Sequence, residues 1–158
     1  MSNSNRQRVL VMSRSDTMRH ELVTLLSGYG YFVEEGESRE EGVRRFRAHK
    51  QPIVILDVNM LRVFPKRLFD FFEKVRRNTI VLVAAHKSEE EEAFGHLRRF
   101  GAYDILNLPL RTDFLKLTLK RAFAYHRMML ESLFIKNAVF FCALMFPVWV
   151  ALAYLILK

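Results

Sequence analysis

The sequence predicts an α/β protein, a doubly wound five-stranded parallel sheet followed by one membrane-spanning helix. Three observations carry this expectation. The stretch Ile53-Val54-Ile55-Leu56 is a continuous apolar run after Pro52 that ends on Asp57, as a strand buried on both faces would. Short apolar strands and amphipathic helices alternate strictly on either side of it. From Ala138 to Leu157 there is no charged residue at all.

The elements follow in chain order. Arg8–Met12 reads as the first strand, then Ser13-Arg14-Ser15-Asp16 as a polar turn with Ser15 or Asp16 as N-cap. The next helix carries Met18, Leu22, Leu25 and Leu26 on one stripe and stops at Gly28 and Gly30. Tyr31-Phe32-Val33 is a second strand. Ser38 and Glu41 form a capping box for a helix through His49.

Ile53–Asp57 is the third strand, and its carboxyl end is where open α/β sheets place their ligand crevice. Pro65 opens a third helix reaching Arg76, with Leu68, Phe69, Phe71, Phe72 and Val75 as its apolar residues. Thr79–Ala84 is the fourth strand. Ser88 and Glu91 repeat the capping box, for a helix ending at Gly101. Asp104-Ile105-Leu106 is the fifth strand, and a last helix starts near Arg111.

Composition bounds the function. The chain has 158 residues, a formal charge of +8 and one cysteine, Cys142, so neither an internal disulfide nor a thiolate metal cluster is available. The pairs Lys66-Arg67, Arg76-Arg77 and Arg98-Arg99, and the cluster at Arg44, Arg45 and Arg47, read as solvated helix faces. So does the run from Glu89 to Glu92. Nucleic acid is not expected as a partner, because no second domain with a recognition helix follows. His20, His49, His86, His96 and His126 show no ligand spacing. No metal, cofactor or small-molecule substrate is expected, and His126 reads as a partly exposed polar position.

At this point the chain resembles a known family. Val9-Leu10-Val11-Met12 with Asp16-Thr17-Met18-Arg19, then Ile55-Leu56-Asp57-Val58-Asn59-Met60, then Gly101-Ala102-Tyr103-Asp104-Ile105-Leu106-Asn107-Leu108-Pro109, look like the receiver domain of two-component response regulators. The resemblance covers roughly residues 7 to 125. It implies a bacterial protein with a flavodoxin-like sheet of order 2-1-3-4-5. It also implies phosphoryl transfer from a histidine kinase to one aspartate, here Asp57.

That chemistry needs a Mg²⁺ held by neighbouring acids, and hydrogen-bonding or cationic groups for the phosphoryl oxygens. The acidic pair falls on Ser13 and Arg14, the strand-four hydroxyl on Ala84 and the lysine on Leu108. The aromatic switch falls on Ile105, and the proline after the loop's methionine on Leu61. The site thus reads as a degenerate phosphoacceptor site. Arg14 is expected to substitute for the metal and pair with Asp57.

The tail completes the reading. Ala138 to Leu157 makes 20 residues, about 30 Å of helix at the usual rise, which matches the hydrocarbon core. Pro147 and Trp149 lie within it. Arg121, Arg127 and Lys136 precede it and only Lys158 follows, so the receiver-like domain is expected on the cytoplasmic side of the inner membrane. The expected domains are a polar tail at 1–6, the receiver-like domain at 7–125, a helical connector at 126–137 and a single-pass transmembrane helix at 138–158.

Leu115, Leu119, Ala122, Met129 and Leu133 fall at alternating four- and three-residue steps, with His126 in the same stripe; they form a candidate interaction seam. The expected function is a non-catalytic, tail-anchored accessory or regulatory subunit of a larger membrane complex. Its partners would be the lipid bilayer and either other integral membrane subunits or a second copy, through the last helix. The alternative is a membrane-tethered phosphoacceptor using Asp57.

Overall fold

Five parallel strands form one sheet in the order β2-β1-β3-β4-β5. They are β1 (Arg8–Met12), β2 (Phe32–Gly36), β3 (Ile53–Asp57), β4 (Ile80–His86) and β5 (Asp104–Leu108). The intervening helices are α1 (Asp16–Gly28), α2 (Arg39–His49), α3 (Pro65–Val75) and α4 (Glu90–Phe100), and α5 runs from Thr112 to Ile156. This computed structural model describes residues 7–76 and 78–156, with the side chains of 133–134, 136–139, 143–144 and 147–156 left out. The polar tail at 1–6, Arg77 and Leu157 therefore lie outside the described residues.

β3 is buried at every position. Because successive side chains point to opposite faces, its apolar run feeds two cores. Val54 and Leu56 join Leu10, Met12, Val81 and Val83 beneath α2, α3 and α4, with Phe46, Leu68 and Phe72. Ile53 and Ile55 join Val9, Val11 and Leu82 on the other face, against Leu22 and Leu26 of α1 and Leu115, Leu119 and Ala122 of α5. A strand with two apolar faces is what the centre of a parallel sheet requires.

Local signals in the sequence set most boundaries. Ser15 Oγ accepts the Met18 N–H and caps α1, and Ser38 Oγ accepts the Glu41 N–H at α2. Glu41 reaches back to the N–H of Glu37 and not to that of Ser38. Gly42 lets α2 lie close on the sheet, since a Cβ there would stand 2.3 Å from the Met12 Cε.

Several boundaries differ from the sequence reading, among them β5, which continues past Leu106 to Leu108. β2 starts one residue later than Tyr31 and continues through Glu34 and Glu35 to Gly36. Glu34 is tolerated inside because His49 Nδ1 lies 2.6 Å from one of its oxygens and Arg8 Nη1 lies 3.7 Å from the other. β4 runs two residues past Ala84, to His86. Ser88 is not the cap of α4. A short 3-10 turn, Lys87–Glu89, precedes that helix, and the Glu89 carboxylate accepts the His86 N–H.

The chain divides into two compact units, Met1–His126 and Arg127–Lys158. The second unit is helical to Ile156, with Met128, Ile135, Phe140, Phe141 and Phe146 exposed. Among the described residues no helix is long and apolar enough to cross a membrane. The side chains of Ala138, Pro147 and Trp149 lie outside that description.

Candidate functional site

The carboxyl end of β3 places Asp57 in the crevice between β1 and β4, where it is only 2% exposed. The Ser13 hydroxyl donates to Asp57 Oδ2 at 2.8 Å. The Asn59 backbone N–H and side-chain amide both donate to Oδ1, at 2.9 and 3.1 Å. The same Asn59 amide donates to Glu89 Oε1 at 3.0 Å. Arg62 then lies 3.5 Å from both Glu89 and Glu92. A polar chain thus runs from the end of β1, across Asp57, to the start of α4.

The expected Arg14–Asp57 pair is not formed. Met12 stands opposite Leu56 in the register of β1 and β3, so the next residue, Ser13, is the one beside Asp57. Arg14 falls one residue further on; it is exposed and has no ion pair among the described residues. A hydroxyl of the right reach, already oriented by the backbone of its own turn, takes the place assigned to the guanidinium. Ser13 Oγ also accepts the Ser15 N–H at 3.0 Å, which fixes it further.

The remaining positions that the sequence reading assigns to a degenerate site are apolar and packed. Ala84 stands opposite Asp57 in the register of β3 and β4 and is fully buried. Leu108, whose peptide bond to Pro109 is cis, stands opposite His86 and is buried, as is Ile105. These side chains offer neither a hydroxyl nor a cation. The arrangement does not fit a Mg²⁺ ion. Both Asp57 oxygens are hydrogen-bonded, the neighbouring acid positions hold a hydroxyl and an exposed guanidinium, and Glu89 is tied to Asn59 and Arg62. Among the described residues no group of three acids, histidines or cysteines is placed to hold a metal.

Sequence reasoning missed Asn59 and Glu89. An Asp closing a strand is a signal for a local side-chain turn, and here Asp57 Oδ1 accepts the backbone N–H two residues on, that of Asn59. Nothing local points to Glu89, which reaches the site from 30 residues away. It is therefore a correction that the Glu89–Glu92 run is not wholly a solvated face.

A second polar constellation sits at the amino end of the sheet. His126, read from the sequence as partly exposed, is buried. Its Nδ1–H donates to the Asn78 carbonyl at 2.7 Å, and Arg76 Nη2 donates to its Nε2 at 3.0 Å. Burial holds the imidazole below its ordinary pKa; the Asn78 carbonyl opposes this and the Arg76 charge adds to it. Arg76 also donates to the Lys50 carbonyl, so α5 at His126 is tied to two connections of the sheet.

The interaction seam divides. Leu115, Leu119 and Ala122, expected in the interaction seam, are instead completely buried in the core against β1, β3 and β4 and offer no partner surface. Met129 is exposed. The Leu133 side chain lies outside the described residues. Of the other histidines, His49 pairs with Glu34, and His96, whose pKa is lowered by burial, stands 3.9 Å from Glu92.

No family model matches the chain, and no curated protein matches it. Solved structures do. A response regulator receiver domain protein from Clostridium thermocellum is 19% identical with a TM-score of 0.68, over 78% of this chain and 98% of that one. The receiver domain of NtrX from Brucella abortus is 24% identical with a TM-score of 0.65, over 72% of this chain and 96% of that one. The chemotaxis response regulator CheY4 of Vibrio cholerae is 22% identical with a TM-score of 0.63, over 75% of this chain and 99% of that one. The fold of this chain is therefore that of a receiver domain, a flavodoxin-like parallel sheet of order 2-1-3-4-5.

Proposed function

We propose that this chain is a non-catalytic, membrane-anchored receiver-fold protein, an accessory or regulatory interaction subunit of a larger membrane assembly. The observation that carries the reading is the state of Asp57. A phosphoacceptor carboxylate needs a metal on one side and room for a phosphoryl group on the other. Here its oxygens are engaged by Ser13 and Asn59, and Ala84 and Leu108 line the positions that would contact the phosphoryl oxygens. The anchor rests on the uncharged run from Ala138 to Leu157, flanked by Lys136 and Lys158. Its partners are other integral membrane subunits, or a second copy packed along the last helix.

A second reading keeps Asp57 as a phosphoacceptor in membrane-tethered two-component signalling. Its support is that the neighbours of the fold are response regulator receiver domains and that an aspartate stands at the end of β3. One assay separates the two. The full chain in mild detergent is incubated with Mg²⁺ and a small acyl phosphate, and its intact mass is measured. No adduct is expected. A stoichiometric phosphoryl adduct that disappears in Asp57→Asn overturns the non-catalytic reading. For the anchor, the chain is expected to stay in the membrane pellet after alkaline carbonate extraction; release into the supernatant rejects it.

A further inference from the structure

The connection from β3 to α3 carries a feature that the Asp57 site does not use. Val63 and Phe64 are each 60% exposed at its tip. Phe64 adopts a left-handed backbone, φ 50° and ψ 55°, which a bulky side chain rarely takes. The conformation is held from outside the loop. Arg39, at the start of α2, donates one guanidinium nitrogen to the Val63 carbonyl at 2.6 Å and the other to the Phe64 carbonyl at 2.8 Å. The Arg67 guanidinium carbon lies 4.7 Å from the centre of the Phe64 ring.

The surroundings of this tip are basic. Burial lowers the Arg39 pKa; the Glu40 charge opposes this, and the charges of Arg14 and Arg67 add to it. Arg62 is occupied by Glu89 and Glu92. Arg14 and Arg67 have no acidic partner among the described residues. We propose that the Val63–Phe64 tip is a docking point for an acidic segment of a partner protein. An apolar side chain of that segment would pack on Phe64, and its carboxylates would meet Arg14 and Arg67.

Two arguments fix the occupant. A guanidinium over an exposed aromatic ring matches carboxylates in forked geometry, so the charge selects an acidic ligand. A lipid surface would ask only for mobile apolar side chains. Here the left-handed backbone that carries the ring is held by a two-point clamp, with Arg67 over the ring, as in an anchor prepared for a shaped pocket. The proposal stands whether or not Asp57 takes phosphate, since neither Phe64 nor Arg67 touches that carboxylate.

The test is a selection of random displayed peptides on the immobilised full chain in mild detergent. Recovered binders are expected to place Asp and Glu around an aliphatic or aromatic residue. Their affinity should fall at least about tenfold in Phe64→Gly, as for an aromatic anchor of a small interface. It should fall also in Arg67→Glu and with added salt. Phe64→Gly removes the ring while suiting the left-handed backbone, and Val63→Asp serves as a second variant should thermal unfolding show Phe64→Gly to be misfolded. Recovery of no binder, binders without acidic bias, or binders indifferent to these changes overturns the proposal. So does flotation of the nanodisc-held chain with separate phosphatidylserine vesicles that depends on Phe64, which would assign the tip to a lipid surface instead.

Discussion

Asp57 and His126 are buried titratable side chains at opposite ends of the sheet, and the two are satisfied in different ways. At the carboxyl end Asp57 takes all three of its donors from near neighbours in the fold: Ser13, beside it on the next strand, and Asn59, two residues on. At the amino end His126 is met by Arg76 and the Asn78 carbonyl, from the connection between α3 and β4. The first set assembles whenever β1 and β3 pair. The second exists only once α5 has packed against the sheet. Asp57 therefore reports on strand pairing and His126 on the docking of α5.

Breaking the Asp57 set should have the largest effect. Asp57→Ala leaves the Ser13 hydroxyl and the Asn59 amide without their acceptor, a cost of about 1–3 kcal/mol for buried groups. Thermal unfolding of the full chain in detergent measures it. Adding Ser13→Ala to that variant should cost less than Ser13→Ala costs alone, because the shared hydrogen bond is already gone. Strict additivity of the two would mean that the Ser13–Asp57 contact contributes nothing.

The His126 set is distinguished by acid. Its folded pKa lies below the ordinary 6.5, so between the two values the unfolded chain binds more protons than the folded one. Its contribution is thus complete above the unfolded value and is lost as the pH falls through that value toward the folded one. His96 has a shift of the same sign, also from burial. The midpoint of unfolding should drop on acidification from about pH 7 to about pH 5, where histidine titrates. His126→Asn should flatten the drop in part, and adding His96→Phe should remove most of the rest. An unchanged slope in the double variant would locate the acid sensitivity elsewhere.

The smallest effect is expected at Arg14. Exposed and outside the Asp57 set, it should change stability by no more than about 0.5 kcal/mol on Arg14→Ala, the usual range for a surface substitution. A loss as large as that of Ser13→Ala would restore the pairing that the sequence suggested.

These contrasts also explain what could be read from the residues alone. β3 was legible to the residue, because a run apolar on both faces admits few other readings. Hydropathy ends β2 at Val33, while the structure continues the strand and buries the Glu34 carboxylate with His49 and Arg8. The identity of the degenerate positions was visible, but not their partners. Charge alone favours Arg14 as the partner, whereas the register of β1 and β3 decides that Ser13 stands beside Asp57. The spacing of Leu115, Leu119 and Ala122 was a true helical stripe. Periodicity alone does not say whether such a stripe meets its own sheet or a second protein.

The double-faced burial of β3 has a consequence for assembly. Strands that are apolar on one side select their alignment, because a slip by one residue turns the oily face to water. A slip of β3 exchanges isoleucines for valine and leucine between two equally dry layers, so hydropathy scarcely opposes it. What opposes it is the polar residue at the strand's end, where Asp57 finds the Ser13 hydroxyl in only one alignment. Asp57 is thereby a peg that stops the central strand in place, a duty that requires a carboxylate there even if no phosphoryl group ever arrives.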